Sequence, residues 1–270
     1  MTIFQAIVLG TLQGLSEFLP ISSSAHLSLA PWLFGWESPG LPFDVALHVG
    51  TLIAVLWYFW REWVTLGRAA VQLAATRRVE TVEQKRVLLL VVATIPAAVA
   101  GLLLEEYAET VFRAPIITAI TLIVMGVLLW AADRWLPRGR TLDTLGWRDA
   151  VLIGCAQALA LVPGVSRSGA TITAGRALHL DRQGAAVFSF LMSMPIIAAA
   201  AVLKVPDAIR EQGVSTALVA GVLASAASGW LAIAVLLRFV SRKPYTVFAV
   251  YRVLLGVFVI WLLFRRGWTP

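Results

Sequence analysis

Six long apolar runs dominate this chain, at residues 45–60, 87–104, 116–132, 185–203, 215–237 and 245–264. About 20 such residues carry a helix across the hydrocarbon core of a bilayer, and each run reaches or approaches that length. Within that core every backbone amide must be paired inside the protein, which leaves helices as the natural use of such runs. Composition agrees. Of 270 residues, 59% are hydrophobic and only 14% charged, with a mean hydropathy of +0.83. A soluble domain is roughly a quarter charged, so this chain has too little polar surface to coat a globule, and disorder is excluded for the same reason. The expected fold class is an all-α polytopic membrane protein, one transmembrane domain over residues 1–270. The net charge of +7 sits in short connections between apolar runs, where it orients helices and forms no nucleic-acid stripe. A lone Cys155 excludes a disulfide framework or zinc knuckle. With Arg61 the first basic side chain, no cleavable signal peptide is expected.

Two further apolar stretches, 3–19 and 150–162, are too short to span, and they run into PISSSAH and PGVSRSGAT. Each reads as a half-helix, a proline break and a cluster of small hydroxyl residues. A shift of about 144 residues lays Gly10 on Gly154, Gln13 on Gln157, Ser22 on Ser166 and Ser24 on Ser168. The chain is thus expected to hold two repeats, approximately 1–135 and 145–270, each a broken re-entrant helical hairpin plus three transmembrane helices. Matched interrupted segments of this kind point to a binding site at the repeat interface. Polar residues at membrane depth are costly, which makes their recurrence informative.

Charge sets the expected orientation. Arg and Lys crowd 61–86, 133–149 and 238–244, while 105–115 carries Glu105, Glu106 and Glu109 against Arg113. The basic connections should be cytoplasmic and the Glu-rich one external. Three spans per half then put the halves in opposite orientation, an inverted-topology repeat. Arg265 and Arg266 fall outside, against the rule.

The chemistry lies in the two broken hairpins. Gln13 and Glu17 are four apart and share a helix face; past Pro20 come Ser22, Ser23, Ser24 and His26. The serines could simply cap a helix, and His26 could be an interior histidine, but a buried carboxylate at Glu17 calls for a partner or a function. In the second cluster Gly164 and Gly169 would let backbone N–H groups converge on an anion, with Ser166, Ser168 and Thr171 adding donors. Arg167 offers a planar fork that matches phosphate oxygens; it could also pair with Glu17, which would still put an anion site between the hairpins.

GLSEFLPISSSAH with PGVSRSGAT resembles the undecaprenyl-diphosphate phosphatase family of bacteria, the bacitracin-resistance type. The likeness runs over essentially the whole chain, including FDVALHVGTLIAV, FSFLMSMP and AVYR. The family's first signature, Glu or Gln then Glu four residues on, falls on Gln13 and Glu17. This chain takes the Gln option, which puts any role of a first carboxylate in doubt. The resemblance implies a catalytic serine and histidine at Ser23 and His26. It also implies phosphate binding by Ser166, Arg167, Ser168, Gly169 and Thr171, with an externally facing site in the bacterial plasma membrane. A divalent cation, Mg2+ or Ca2+, is implied as cofactor. The expected substrate is a polyprenyl diphosphate whose tail lies among the helices, dephosphorylated to recycle the cell-wall lipid carrier. Gln13 and Ser22 join the substrate-binding set. Ser23, or a water it positions, attacks phosphorus; His26 serves as acid–base partner; Glu17 orients that histidine or binds the metal. His48 and His179 have no assigned role. A homodimer is left open as the assembly. The competing reading is a polyprenyl-phosphate flippase using the same anion site, since broken helices in inverted repeats are common in transporters. A carrier, however, needs no nucleophile.

Overall fold

The computed structural model describes residues 1–37, 39–104 and 114–266. Eleven α-helices run through them: α1 (Ile3–Phe18), α2 (Ser23–Phe34), α3 (Leu41–Tyr58), α4 (Trp60–Thr76), α5 (Val82–Leu103), α6 (Pro115–Trp135), α7 (Trp147–Ala158), α8 (Arg167–Ala177), α9 (Arg182–Gln212), α10 (Thr216–Val240) and α11 (Thr246–Arg266). The only bridge of β type among the described residues joins Arg140 and Leu180. Helices α5, α6, α10, α11 and the Arg182–Pro206 part of α9 are long and apolar enough to cross a membrane. A sixth span arises if α3 and α4, bent by 82° at Phe59, count as one. All six apolar runs therefore lie on helices.

The basic connection 61–86 departs from expectation. Most of it is α4, whose apolar residues Trp63, Leu66, Ala70 and Leu73 recur at helical spacing, with Leu66 and Ala69 buried. Arg61 and Arg68 occupy the other face, as an amphipathic helix requires. Charge density suggests a loop there; the periodicity beneath it makes a helix. The Glu-rich connection carrying Glu105, Glu106, Glu109 and Arg113 lies outside the described residues.

Both interrupted stretches are broken helix pairs. Helix α1 ends at Phe18, Pro20 lies in the turn, and α2 restarts at Ser23; α7 ends at Ala158 and, after a 3-10 turn at Leu159–Leu161 and Pro163, α8 starts at Arg167. Proline removes the amide that would continue a helix and restricts the residue before it. The two restarts share local geometry. Ser22 and Ser166, the N-cap residues, both take positive φ, 75° and 68°. Their hydroxyls lie 3.2 and 3.3 Å from those of Ser24 and Ser168. Gly10 and Gly154 match as well: a Cβ at Gly10 would strike the Gly221 carbonyl on α10, and one at Gly154 the Ala93 carbonyl on α5. Each short helix thus beds against the bare backbone of a spanning helix, the close approach small residues allow in membranes.

A polar clasp closes one end of the molecule. Asp133, buried at the end of α6, accepts from Arg176 at 3.2 Å, Arg182 at 2.7 Å and the Tyr245 amide at 3.0 Å. Arg86 pairs with Asp143, and Arg140 with Asp149 at 2.6 Å. The hydrogen bond to Asp149 raises the Arg140 guanidinium above its ordinary range. The starts of α5, α7, α9 and α11 and the ends of α6 and α8 meet here. The basic connections counted separately along the chain therefore gather at a common end.

Candidate active site

Helix α1 delivers Glu17 to the junction of the two broken pairs. Phe18 packs edge-on against Phe190 of α9, centroids 5.3 Å apart, and this contact anchors the end of α1 beside α8 and α9. Glu17 is only 6% exposed, yet its carboxylate is fully engaged. Oε1 accepts from Arg167 Nη2 at 2.9 Å; Oε2 accepts from Ser23 Oγ at 2.6 Å and Gln13 Nε2 at 3.1 Å. His48 Nε2 stands 3.5 Å from Oε2. Ser23 and Arg167 are the first residues of α2 and α8. Two helix N-termini thus converge on one carboxylate, and both carry the partial positive charge that favours anions.

The expectation that Arg167 could pair with Glu17 is met, without exhausting the arginine. Nη2 holds Glu17 and Nη1 donates to the Ser189 carbonyl at 2.9 Å; a guanidinium has about five N–H donors, so further donors remain for a ligand. The other small residues turn much of their capacity inward. Ser166 caps α8 by accepting from the Gly169 amide at 3.1 Å, Ser168 donates to the Leu19 carbonyl at 3.2 Å, and Thr171 meets the Ser189 hydroxyl at 2.7 Å. Ser22 Oγ makes no cap bond and faces Ser24 instead. The absence of a side chain at Gly169 makes room for Arg252, whose Nη1 a Cβ would strike.

Glu17 and His26 are not joined. His26 binds the Ser22 carbonyl through Nδ1 at 2.7 Å and the Tyr251 hydroxyl through Nε2 at 2.6 Å. The carboxylate is directed at Ser23, and the histidine at α11. Four residues without an assigned sequence role join the site: His48, Ser189, Tyr251 and Arg252. Arg252 is fully buried and ties both turns together, donating to Pro20 at 3.3 Å and to Gly164 and Val165 at 2.7 and 2.9 Å. All four lie in FDVALHVGTLIAV, FSFLMSMP and AVYR, stretches whose apolar surroundings make them read as span interiors.

The donors do not fit a resident divalent cation. Mg2+ and Ca2+ are held by several oxygens, carboxylates foremost; here one carboxylate has both oxygens occupied and a guanidinium beside it. Among the described residues no three His, Cys, Asp or Glu side chains converge to hold a metal. Gln13 contributes to this, because an amide N–H bonds Glu17 directly where a second carboxylate would repel it unless a proton or cation intervened.

Fold and site together define a polytopic helical membrane protein with a buried polar cluster, Glu17 held by Gln13, Ser23 and Arg167, between two broken helix pairs. Comparison with known proteins makes that specific. Residues 6–258 match the family model described as Bacitracin resistance protein BacA. Similar curated proteins include the undecaprenyl-diphosphatase of Gemmatimonas aurantiaca, 61% identical over 98% of this chain and 100% of its own length. Those of Pelotomaculum thermopropionicum and Moorella thermoacetica are 51% and 49% identical, each over 98% of this chain and over 98% and 100% of their own. The chain belongs to the bacitracin resistance protein BacA family.

Proposed function

We propose that this protein hydrolyses undecaprenyl diphosphate to undecaprenyl phosphate and inorganic phosphate, recycling the lipid carrier of cell-wall synthesis and thereby conferring bacitracin resistance. Family membership supports the substrate. The observation that carries the chemistry is the 2.6 Å hydrogen bond from Ser23 to Glu17. A hydroxyl aimed at a carboxylate is an activated nucleophile with its base, and a flippase would need only the anion donors.

Ser23 Oγ attacks the terminal phosphorus while Glu17 Oε2 takes its proton. Arg167 and the N-termini of α2 and α8 stabilise the charge spread over the transferring phosphoryl group. Undecaprenyl phosphate leaves, its bridging oxygen receiving a proton that His26 supplies. Water then hydrolyses the phosphoserine, and Glu17 returns its proton to Ser23. Gln13 and Ser189 hold Glu17 and Arg167 in place. Ser22, Ser166, Ser168, Gly169 and Thr171 shape the turn edges on which the diphosphate sits. The Mg2+ or Ca2+ implied by family resemblance has no ligand set among these residues, and no step of this reading runs through it. The two halves form an inverted repeat in the plasma membrane with the site facing outward, as the charge asymmetry of the connections supports.

The test is phosphate release from undecaprenyl diphosphate by purified protein in detergent, where transport is invisible. Wild type should release phosphate, and Ser23→Ala should lose about a thousandfold or more in turnover. A silent wild type that moves the lipid across reconstituted vesicles would favour the flippase. An active Ser23→Ala would transfer the attack to water.

A further inference from the structure

His26 has a partner at each ring nitrogen, and the partners differ in kind. The Ser22 carbonyl, 2.7 Å from Nδ1, has no proton to give, so Nδ1 carries the hydrogen. In the neutral ring Nε2 is then the bare nitrogen, and the Tyr251 hydroxyl 2.6 Å away donates to it. The two rings lie almost parallel, 6° apart with centroids at 5.7 Å, so turning the imidazole would break a ring contact as well as two hydrogen bonds. Glu17 and Ser23 form their own proton pair. His26 therefore has no free nitrogen, and a carbonyl cannot pass a proton on. The remaining outlet is the phenol, on a residue 42% exposed.

We propose that Tyr251 is a catalytic residue whose hydroxyl carries the proton between His26 and the leaving lipid phosphate. The proposal rests on the phosphatase reading and deepens it. With His26 protonated, Nε2–H gives its proton to the Tyr251 oxygen as the Tyr251 O–H proton passes to the bridging oxygen and the bond from that oxygen to the terminal phosphorus breaks. Neutral His26 then recovers the proton by the same route from the water that forms the new bond to phosphorus. Ser23's proton goes to Glu17 in the first step and returns in the second, so protons balance over a turnover. A hydroxyl donates to a bare nitrogen and accepts from a protonated one by rotating its hydrogen alone. No heavy atom moves, which is the preorganisation that makes such groups effective.

Tyr251→Phe keeps the stacked ring and removes the relay. Turnover of undecaprenyl diphosphate should fall about a hundredfold or more, the usual worth of acid–base catalysis, with KM within about twofold of wild type and an unchanged thermal midpoint. His26→Ala should fall similarly, and the double variant no further. Near-normal turnover in Tyr251→Phe would overturn the proposal, because His26 would then work directly through a freed Nε2. A nitrogen-15 spectrum of histidine-labelled protein tests the pair without reference to activity, with three histidines to assign. Neutral His26 should carry its hydrogen on Nδ1, and Tyr251→Phe should move the Nε2 resonance while leaving His48 and His179 in place. A hydrogen on Nε2 in the neutral wild-type ring, or an unmoved resonance in the variant, would equally overturn it. If wild type releases no phosphate, the phosphatase reading falls, while the spectrum still judges the pair.

Discussion

Glu17 shows how much one side chain can depend on its neighbours. Four residues away on the same helix, Gln13 holds its Oε2; 150 residues away, Arg167 holds its Oε1 at 2.9 Å. The first contact is readable from helical spacing, and the second was an open alternative in PGVSRSGAT. The direction of Glu17 was not readable: its carboxylate meets Ser23 and not His26, because the turn at Pro20 and the positive φ of Ser22 swing Ser23 back over the end of α1. His48 was missed because one histidine inside an apolar run carries no local signal; only packing of α3 beside α1 brings it to 3.5 Å from Glu17. Arg167 allows a sharp test. Its Nη1 and Nη2 serve Ser189 and Glu17 at once, a planar two-nitrogen spacing that a lysine, with all its donors on one nitrogen, does not match. Arg167→Lys should therefore lose nearly as much turnover as Arg167→Ala, about a hundred- to a thousandfold, or roughly 3–4 kcal/mol of barrier. A stable, active lysine variant, judged by phosphate release and thermal melting in the same detergent, would reduce Arg167 to a counter-charge for Glu17.

At the scale of elements, the broken pairs work because helix α1 can lie against α10, and α7 against α5, with almost no side chain between. Gly10 and Gly154 mark those crossings, 144 residues apart. Their repeat is legible in the sequence, but the partner helix each one meets is not. Gly10→Ala should press a methyl into the Gly221 carbonyl and cost about 1–3 kcal/mol of stability, the usual range for overpacking, and should displace Glu17 with α1. Gly67 on α4 has open space around it; alanine there should be neutral or stabilising by about 0.4–1 kcal/mol. Melting curves of the two variants in detergent decide the matter, and equal midpoints would mean that α1 can shift to accommodate the methyl. Helix α4 itself carries the converse lesson. Its charges obscured an apolar stripe at helical spacing, and its 82° bend from α3 belongs to neither helix alone.

For the whole molecule, the clasp around Asp133 draws the basic connections to one end. If that end is cytoplasmic, as the charge asymmetry of the connections predicts, cysteines make the orientation measurable. With Cys155 replaced, a cysteine at Glu106 should react with a membrane-impermeant thiol reagent added to intact cells, and one at Arg77 should react only after permeabilisation. The reverse pattern would turn the protein over and overturn the proposal of an outward-facing site.

The sequence by itself determined that the chain is a helical membrane protein, where two of its helices break, and which two clusters of polar residues lie at those breaks. Those properties are local: run length, proline position and residue type act within one or two helical turns. Tertiary structure alone decided that Glu17 serves Ser23, that His26 turns to Tyr251, and that Arg252 fastens Pro20 to Gly164. Each of these contacts joins segments whose separation along the chain or whose turn geometry leaves no local trace. In apolar surroundings an unpartnered polar side chain is costly, but which partner it finds depends on how the helices pack.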